Sequence, residues 1–209
     1  MEFYGNRVYP ALVRLLGDPK PAQALREKII PRAYGTVLEI GVGAGANFIH
    51  YDPAKVKRLY ALEPNRGMLR LAATRRDQVL FDIEFLTRPG ESIPLDDASV
   101  DTVVSTFTLC TIPGLDEALS SIARVLKPDG LLVFLENSLA TNPNIQHWQR
   151  RWTPIHRRVF QGLVLTRDIP ARIGDAGFHL EQLELGCLSP FPKSWSHCCW
   201  GTARKGTPR

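Results

Sequence analysis

Cysteine patterns that bind metals or form disulfides are missing from this chain of 209 residues. Its four cysteines, Cys110, Cys187, Cys198 and Cys199, show neither CxxC spacing nor a Cys/His spacing typical of zinc sites. Adjacent residues such as Cys198 and Cys199 are poor disulfide partners, because a disulfide needs a specific geometry of both cysteines. We therefore predict free thiols in a reducing compartment and no metal site.

Long apolar runs and a concentrated charge are missing too. No stretch approaches the roughly 18 residues of a membrane span, and no signal-peptide pattern follows Met1, which predicts a soluble, cytoplasmic protein. The net charge of +5 comes from scattered basic segments rather than a dense stripe with stacking aromatics, so nucleic acid is not an expected partner. Arginines around Trp148 and Trp152 leave a peripheral membrane contact open. The sequence indicates no obligatory protein partner.

What is present is an alternation of strands and helices over residues 36–137. A helical cover over residues 1–34 precedes it, because Tyr4 and later apolar residues recur at helical spacing before two prolines and a second short helix near 22–30. The predicted strands are 36–40, 58–62, 82–86, 101–105 and 131–136, with helices near 45–50, 65–74 and 115–126. This alternation is typical of a parallel, doubly wound α/β sheet, which binds ligands at the carboxyl ends of its strands.

The last third of the chain is organised differently. Residues 138–174 predict a helical lid, made of two helices with a kink at Pro154 and a short third helix closed by Gly177. Residues 175–209 contain two predicted strands, near 178–188 and 195–203, and the short connection between them requires antiparallel pairing. With the cover and the core, these segments make one predicted domain spanning residues 1–209.

The stretch "VLEIGVGAGANF" at residues 37–48 reads as a buried strand that turns into a glycine-rich ligand loop. It fits a relaxed dinucleotide fingerprint as well as a nucleoside cofactor with a cationic tail. Glu39 favours the second reading, because a carboxylate just before the loop suits a sulfonium or ammonium and repels a pyrophosphate. Glu63, about 20 residues after the glycines, supports ribose binding without choosing between the two.

Four segments in this order resemble the class I S-adenosylmethionine-dependent methyltransferases. They are "VLEIGVGAG", "ALEP", "ESIPLDDASVDTVV" and "ARVLKPDGLLVFLE". The resemblance implies a Rossmann-like sheet of seven strands, mostly parallel, with the last strand antiparallel. It implies S-adenosylmethionine as cofactor and the following cofactor-binding residues: Glu39, Gly41, Gly43, Gly45, Asn47, Glu63, Pro64, Met68, Gly90, Glu91, Thr106 and Phe107. Relatives often place an aspartate before the residue equivalent to Gly90, whereas this chain has Pro89.

A narrower resemblance concerns the methyl acceptor. The segments "GANF", "STFTLCTIP", "FLEN", "LTRD" and "WGTARK" look like the small-molecule branch that contains the alkyl-thiol S-methyltransferases. Those relatives usually carry Cys followed by His or Asn before "LTR", where this chain has Leu163 and Val164, so we expect a more apolar pocket. A thiol reacts as its thiolate, which a weak base or a positive local field is enough to favour.

Residues for acceptor binding and catalysis are less well defined by the sequence. The candidate bases are His147, His156 and His197, and the candidate acceptor-binding residues are Tyr4, Trp148, Trp152 and His156. Transfer to a lipophilic thiol is the leading hypothesis. The alternative is a lipid or quinone methyltransferase, acting on phosphatidylethanolamine nitrogen or on a quinone carbon. A cofactor-binding protein without catalysis and a nucleic-acid methyltransferase remain further alternatives, although the expected [DN]PP[YFW] tetrad is missing after the fourth strand.

Overall fold

The computed structural model describes residues 10, 11, 13 and 18–206. Tyr4 and most of the predicted first helix lie outside these residues. The helices are α1 (Lys20–Ile29), α2 (Arg66–Ala73), α3 (Leu115–Val125), α4 (Pro143–Val159), α5 (Ile169–Asp175) and α6 (Lys193–Ser196). The strands are β1 (Gly35–Ile40), β2 (Val56–Leu62), β3 (Asp82–Leu86), β4 (Val100–Thr106), β5 (Leu126–Asn137), β6 (Phe178–Cys187) and β7 (His197–Lys205).

The seven strands form one sheet in the order β3-β2-β1-β4-β5-β7-β6. The pairs among β1 to β5 are parallel, and β7 runs antiparallel to both β5 and β6. The predicted fold class and the antiparallel last strand are therefore confirmed. Because the chain winds outward in opposite directions from β1 and β4, the carboxyl ends of these two strands flank the crevice where such sheets bind ligands.

Both faces of the sheet are covered, which explains the nearly continuous apolar strands. Val37 packs in a cluster with Ile29 of α1, whereas its neighbour Leu38 packs in a second cluster with Leu119 and Ile122 of α3. Successive residues of a strand point to opposite faces, so both members of the pair are fully buried. This packing fixes the register and holds the carboxyl ends of β1 and β4 in place.

The predicted helix near 45–50 is wrong. Residues 43–47 form turns, and only a short 3-10 helix follows at Phe48–His50. Gly41, Gly43 and Gly45 all have positive φ angles, between 55° and 75°, which a right-handed helix cannot accommodate. The glycines therefore form the ligand loop itself rather than open a helix.

The two predicted helices around Pro154 are instead one helix, α4, which contains this proline. A proline removes one backbone donor from the helix, but neighbouring contacts hold the segment. The Thr153 hydroxyl donates to the Gln149 carbonyl at 2.8 Å. The buried Gln149 side chain also bonds to the backbone of Ser138 and Ala140, both at 2.9 Å. Tertiary anchoring thus overrides the helix-breaking signal.

None of the helices among the described residues combines the length and the apolar character that crossing a membrane would require.

Candidate functional site

A cavity of about 790 Å³ opens at the carboxyl ends of β1, β2 and β4, a volume typical of small-molecule sites. It extends from the glycine loop to the beginning of α3 and to the residues that follow α4. Nine of the predicted cofactor residues line it: Gly41, Gly43, Glu63, Pro64, Met68, Gly90, Glu91, Thr106 and Phe107. The sequence pattern and the sheet topology therefore lead to the same crevice.

The glycine loop forms one wall, and at Gly41 it leaves no room for a side chain. The amides of Gly41 and Val42 donate to the Leu62 carbonyl at 2.8 and 3.1 Å, which ties the loop to the end of β2. A Cβ atom at Gly41 would lie 2.2 Å from the Thr108 hydroxyl oxygen, and φ there is +66°. At Gly43, where φ is +55°, a Cβ atom would meet only the Met68 methyl carbon, at 3.5 Å. The loop thus presents bare backbone to the cavity.

Glu63 lies where β2 ends, with only 8% of its surface exposed. One carboxylate oxygen accepts from the Gly43 amide at 3.0 Å and the other from the Asn65 amide at 2.8 Å. Burial raises the pKa of Glu63, while these two backbone bonds lower it. Each oxygen keeps a free lone pair on a cavity-lining side chain, so the carboxylate can accept hydrogen bonds from two hydroxyl groups of a ligand.

Apolar side chains continue the wall beyond Glu63. Pro64, Met68 and Ile112 line the cavity, and sequence reasoning missed Ile112. A Cβ atom at Gly90 would lie 2.9 Å from Ile112, so the chain passes close here. Glu91 also lines the cavity, and its carboxylate accepts from the Gly114 amide at 3.2 Å. The arrangement is a flat apolar slot with polar groups at its edge.

These features fit S-adenosylmethionine. The bare glycine backbone allows close approach of a ligand, Glu63 suits the two ribose hydroxyls, and the slot between Pro64, Met68 and Ile112 suits a purine ring. The described residues on this wall present two carboxylates, Glu63 and Glu91, and no cluster of cations for a pyrophosphate. This wall therefore favours S-adenosylmethionine over a dinucleotide.

Glu39, Gly45 and Asn47 lie behind the cavity wall rather than on it, which differs from the expected direct contacts. Glu39 is 1% exposed and accepts from the Asn47 amide at 2.9 Å and from the Tyr51 hydroxyl at 2.7 Å. Burial raises the pKa of Glu39 to about 7, although the bonds from Tyr51 and Asn47 oppose the shift. Gly45 packs instead against the Phe48 ring. The glycine loop separates this buried layer from the cavity.

Arg26 of α1 connects this buried layer to the cavity, and sequence reasoning missed it. Its Nη1 atom donates to Asn47 Oδ1 at 2.6 Å and to Thr106 Oγ1 at 2.7 Å, and its guanidinium lines the cavity. A signal was present, because Ala22, Arg26 and Ile29 occupy the buried face of α1 at helical spacing. A charged residue within such a stripe indicates a buried polar partner.

The loop after β4 forms the far end of the cavity, which we call the acceptor end. Phe107 lines it and has a φ of +54°, unusual for a residue with a side chain. The buried Glu136 carboxylate holds the loop by accepting from the Ser105 hydroxyl at 2.7 Å and from the amides of Thr108 and Cys110 at 3.1 Å. The remaining lining of this end includes Thr111, Phe160 and Gln161, which sequence reasoning missed.

The predicted histidine bases and tryptophans do not line the cavity. The His156 ring is buried, bonds to the Trp152 carbonyl at 3.0 Å and stacks on Phe160 at 5.3 Å. His197 is buried against the Ser138 carbonyl at 3.1 Å. His147 packs edge-on against Trp148, which is half exposed, and Trp152 packs against Trp195. Trp152 and His156 pack against Trp195 and so join α4 to α6, and Phe160, stacked on His156, lines the cavity.

Comparison with known proteins adds an independent line of support. Residues 38–134 match a family described as a methyltransferase domain. The chain is similar to thiol S-methyltransferase TMT1B of Rattus norvegicus, with 34% identity over 77% of this chain and 65% of that protein. It is also similar to thiol S-methyltransferase TMT1A of Homo sapiens, with 31% identity over 82% of this chain and 70% of that protein. The alignments thus cover about two thirds of the length of these relatives.

Solved structures share the fold. A SAM-dependent methyltransferase from Aquifex aeolicus superposes with a TM-score of 0.63 at 20% sequence identity, over 94% of this chain and 98% of that chain.

Proposed function

This chain belongs to the S-adenosylmethionine-dependent methyltransferases, and we propose that it transfers a methyl group to the sulfur of a small lipophilic thiol. One observation carries the choice of acceptor: no histidine lies on the described part of the cavity wall, and Glu63 is assigned to the ribose of the cofactor rather than to the acceptor. The three candidate histidines lie off the wall. Each lining carboxylate is already engaged: Asp18 with Arg26, Glu63 with two backbone amides, and Glu91 with the Gly114 amide.

A cavity wall without a histidine base favours acceptors that lose their proton without a base from the protein. A thiol with a pKa of about 8.5 is partly thiolate at neutral pH, whereas an amine, alcohol or carbon acceptor needs its proton removed by a positioned group. When bound, the cofactor supplies an electrophilic methyl group on a sulfonium. The protein then has to position the nucleophile and exclude water from it. The names of the rat and human relatives support the same acceptor chemistry.

The acceptor end is suited to excluding water. Phe107 and Phe160 present aromatic surface to the cavity, and Thr111, in the same loop as Phe107, also lines it. The hydroxyl of Thr111 donates to the Thr108 carbonyl at 2.8 Å, so its own hydrogen is not available to a ligand. A lipophilic acceptor would gain free energy by covering these rings.

Gln161 is the polar exception at this end. It lines the cavity with a φ of +47°, and Gly162 follows at +104°. The Gly162 amide donates to the Arg157 carbonyl at 2.9 Å, and the Val164 amide to the Cys110 carbonyl at 3.0 Å. We assign this segment, within the proposed lid of residues 138–174, the role of covering the acceptor. A neutral amide can orient a thiol without acting as a base.

The proposal is tested by acceptor competition with methyl-labelled cofactor. A lipophilic thiol, phosphatidylethanolamine vesicles and a demethylated quinone are offered separately at equal concentration. We expect label in the thiol only. Label in the phospholipid or the quinone, with none in any thiol, would transfer the assignment to the alternative acceptor class.

A pH profile of the rate distinguishes a reaction without a histidine base from a reaction that uses one. With two thiols of different acidity, the rise in rate should shift with the pKa of the thiol. A histidine base would give a rise near pH ~6.5 that stays in place for both thiols. The variant His156→Asn serves as a control, because its ring is separated from the cavity by Phe160 and its profile should match that of the parent.

A further inference from the structure

We propose that Arg26 binds the carboxylate of the methionine part of S-adenosylmethionine. The proposal rests on the cofactor assignment and is independent of the acceptor. Arg26 belongs to α1, outside the residues 38–134 that match the methyltransferase domain family. It is 7% exposed, and what remains accessible of it faces the cavity that it lines.

The guanidinium group is fixed from several sides. Its Nε atom donates to Asp18 Oδ2 at 3.0 Å, and its Nη1 atom donates to Asn47 Oδ1 and Thr106 Oγ1. The same group lies over the Phe107 ring, 5.3 Å from the ring centre. These contacts hold a planar fork of donors in one orientation before any ligand arrives, which lowers the entropy cost of binding.

One edge of this fork is left unused. The Nη2 atom finds no hydrogen-bond acceptor among the described residues, nor is it among their fully buried unpaired atoms. Two N–H groups of a fixed cation are therefore available to a ligand in the cavity. A carboxylate matches them best, because charge-assisted bonds from a guanidinium to a carboxylate are short and directional.

The position of the Arg26 guanidinium indicates that it contacts the amino-acid part of the cofactor rather than the purine. Among the described residues that line the cavity, Arg75 is the other cation, and it follows the C-terminal end of α2 on the side of Met68. Arg26 instead lies beside Thr106 and Phe107 at the end of β4, whereas Pro64 and Met68 follow β2, on the other side of β1. The amino-acid part of the cofactor is the part that extends away from its purine, and it carries the only carboxylate.

The buried acid behind the loop completes the arrangement. Asn47 accepts from Arg26 and donates to Glu39, so one amide links the cation to the acid. Arg26 thereby lines the cavity while Glu39 stays buried behind the wall, and Asn47, bonded to both, fixes the orientation of the guanidinium. The ion pair with Asp18 keeps Arg26 from being an isolated buried charge in the absence of ligand.

The test compares two ligands that differ in the amino-acid part. S-adenosylhomocysteine carries it, and 5′-methylthioadenosine has the same nucleoside and thioether without it. By calorimetry, Arg26→Lys and Arg26→Gln should weaken S-adenosylhomocysteine about tenfold to a hundredfold, with 5′-methylthioadenosine changed less than about twofold. Arg75→Gln, which removes the other cation, is the matched control and should not produce this difference between the ligands.

Other outcomes would overturn the proposal. They are an equal loss for both ligands, unchanged binding of S-adenosylhomocysteine, or a parent that binds the two ligands equally. A higher KM for the thiol with unchanged S-adenosylhomocysteine binding would place Arg26 at the acceptor instead. If Arg26→Gln does not fold, as judged by its melting curve, Arg26→Lys retains the charge and gives the same comparison. Failure of the acceptor assignment would leave these binding results unchanged, so the two proposals fail separately.

Discussion

Glu39 provides the most direct check of the electrostatics beneath the site. Its carboxyl group is buried, and burial raises its pKa from 4.5 to about 7. In the unfolded chain the same group ionises near pH 4.5. Between these two values the folded protein holds a proton that the unfolded chain has lost, so the free energy of unfolding falls as the pH rises. The loss is complete above about pH 7, where both forms are ionised.

The size of the effect follows from the separation of the two pKa values. About 2.5 pH units correspond to about 3 kcal/mol, lost at up to about 1.4 kcal/mol per pH unit. Glu39→Gln removes the titration but keeps the shape of the side chain: its oxygen can accept from Asn47, and its amide can donate to the Tyr51 hydroxyl oxygen, as a protonated Glu39 would. At pH 5 the variant should be no more stable than the parent. At pH 8 the difference between variant and parent should have moved by about 2.5 kcal/mol in favour of the variant, because part of the titration lies below pH 5.

The assay is urea unfolding of both proteins without cofactor at pH 5, 6, 7 and 8. Glu27→Gln, which removes an exposed carboxylate of α1, controls for the loss of one acidic group. Glu63 and Glu136 are also buried acids with raised pKa values, but they are common to parent and variant and cancel in the difference. A difference between Glu39→Gln and the parent that is constant from pH 5 to 8 would refute the reasoning.

Two further predictions concern the two ends of the cavity. Glu63→Ala should weaken S-adenosylhomocysteine binding ten- to a hundredfold, about 1.5 to 3 kcal/mol, through loss of the ribose contacts, with little change in melting temperature; calorimetry that finds the parental affinity would contradict the ribose contact. Gly162→Ala should lower the melting temperature and raise the KM for the acceptor, because a Cβ atom there would lie 2.7 Å from the Thr111 carbonyl oxygen. Gly177→Ala is its matched control, since Gly177 also has a positive φ but no atom within 4 Å of the added carbon; equal effects in both variants would attribute the loss to backbone strain alone.

The fold was predictable because its signals are local. The parallel strands are rich in apolar residues, helices follow β2, β4 and β5, and the antiparallel β7 follows from the short connection after β6. The cofactor wall was predictable for a related reason, because the glycine loop and Glu63 lie at the ends of two adjacent strands. The helix expected near 45–50 was wrong since the same glycines that identify the loop adopt backbone angles incompatible with a helix.

The acceptor end was not predictable, because its residues are brought together by long-range contacts. The Val164 amide, after α4, donates to the carbonyl of Cys110 in the loop after β4, far away in the chain. The sequence predicted the tryptophans and histidines of α4 as acceptor-binding or catalytic residues. In the structure, Trp195 from another segment packs against Trp152 and His156. Their role is to hold α4, and Phe160 and Gln161 reach the cavity only because α4 is held.

The loop after β4 couples the two halves of the site. Glu136, at the end of β5, accepts from the Ser105 hydroxyl in β4 and from the Thr108 and Cys110 amides in this loop, and a buried carboxylate needs such donors. Phe107, in the same loop, contacts the Arg26 guanidinium on one side and bounds the acceptor end on the other. A displacement of the loop would therefore change the cofactor end and the acceptor end together.

Phe160 and Gln161 reach the cavity from the acceptor side, so changes in their segment alter the acceptor space while the glycine loop and Glu63 keep their positions. Substitutions in the segment of Phe160 and Gln161 should therefore change acceptor choice without changing cofactor binding, whereas substitutions in the loop after β4 should change both.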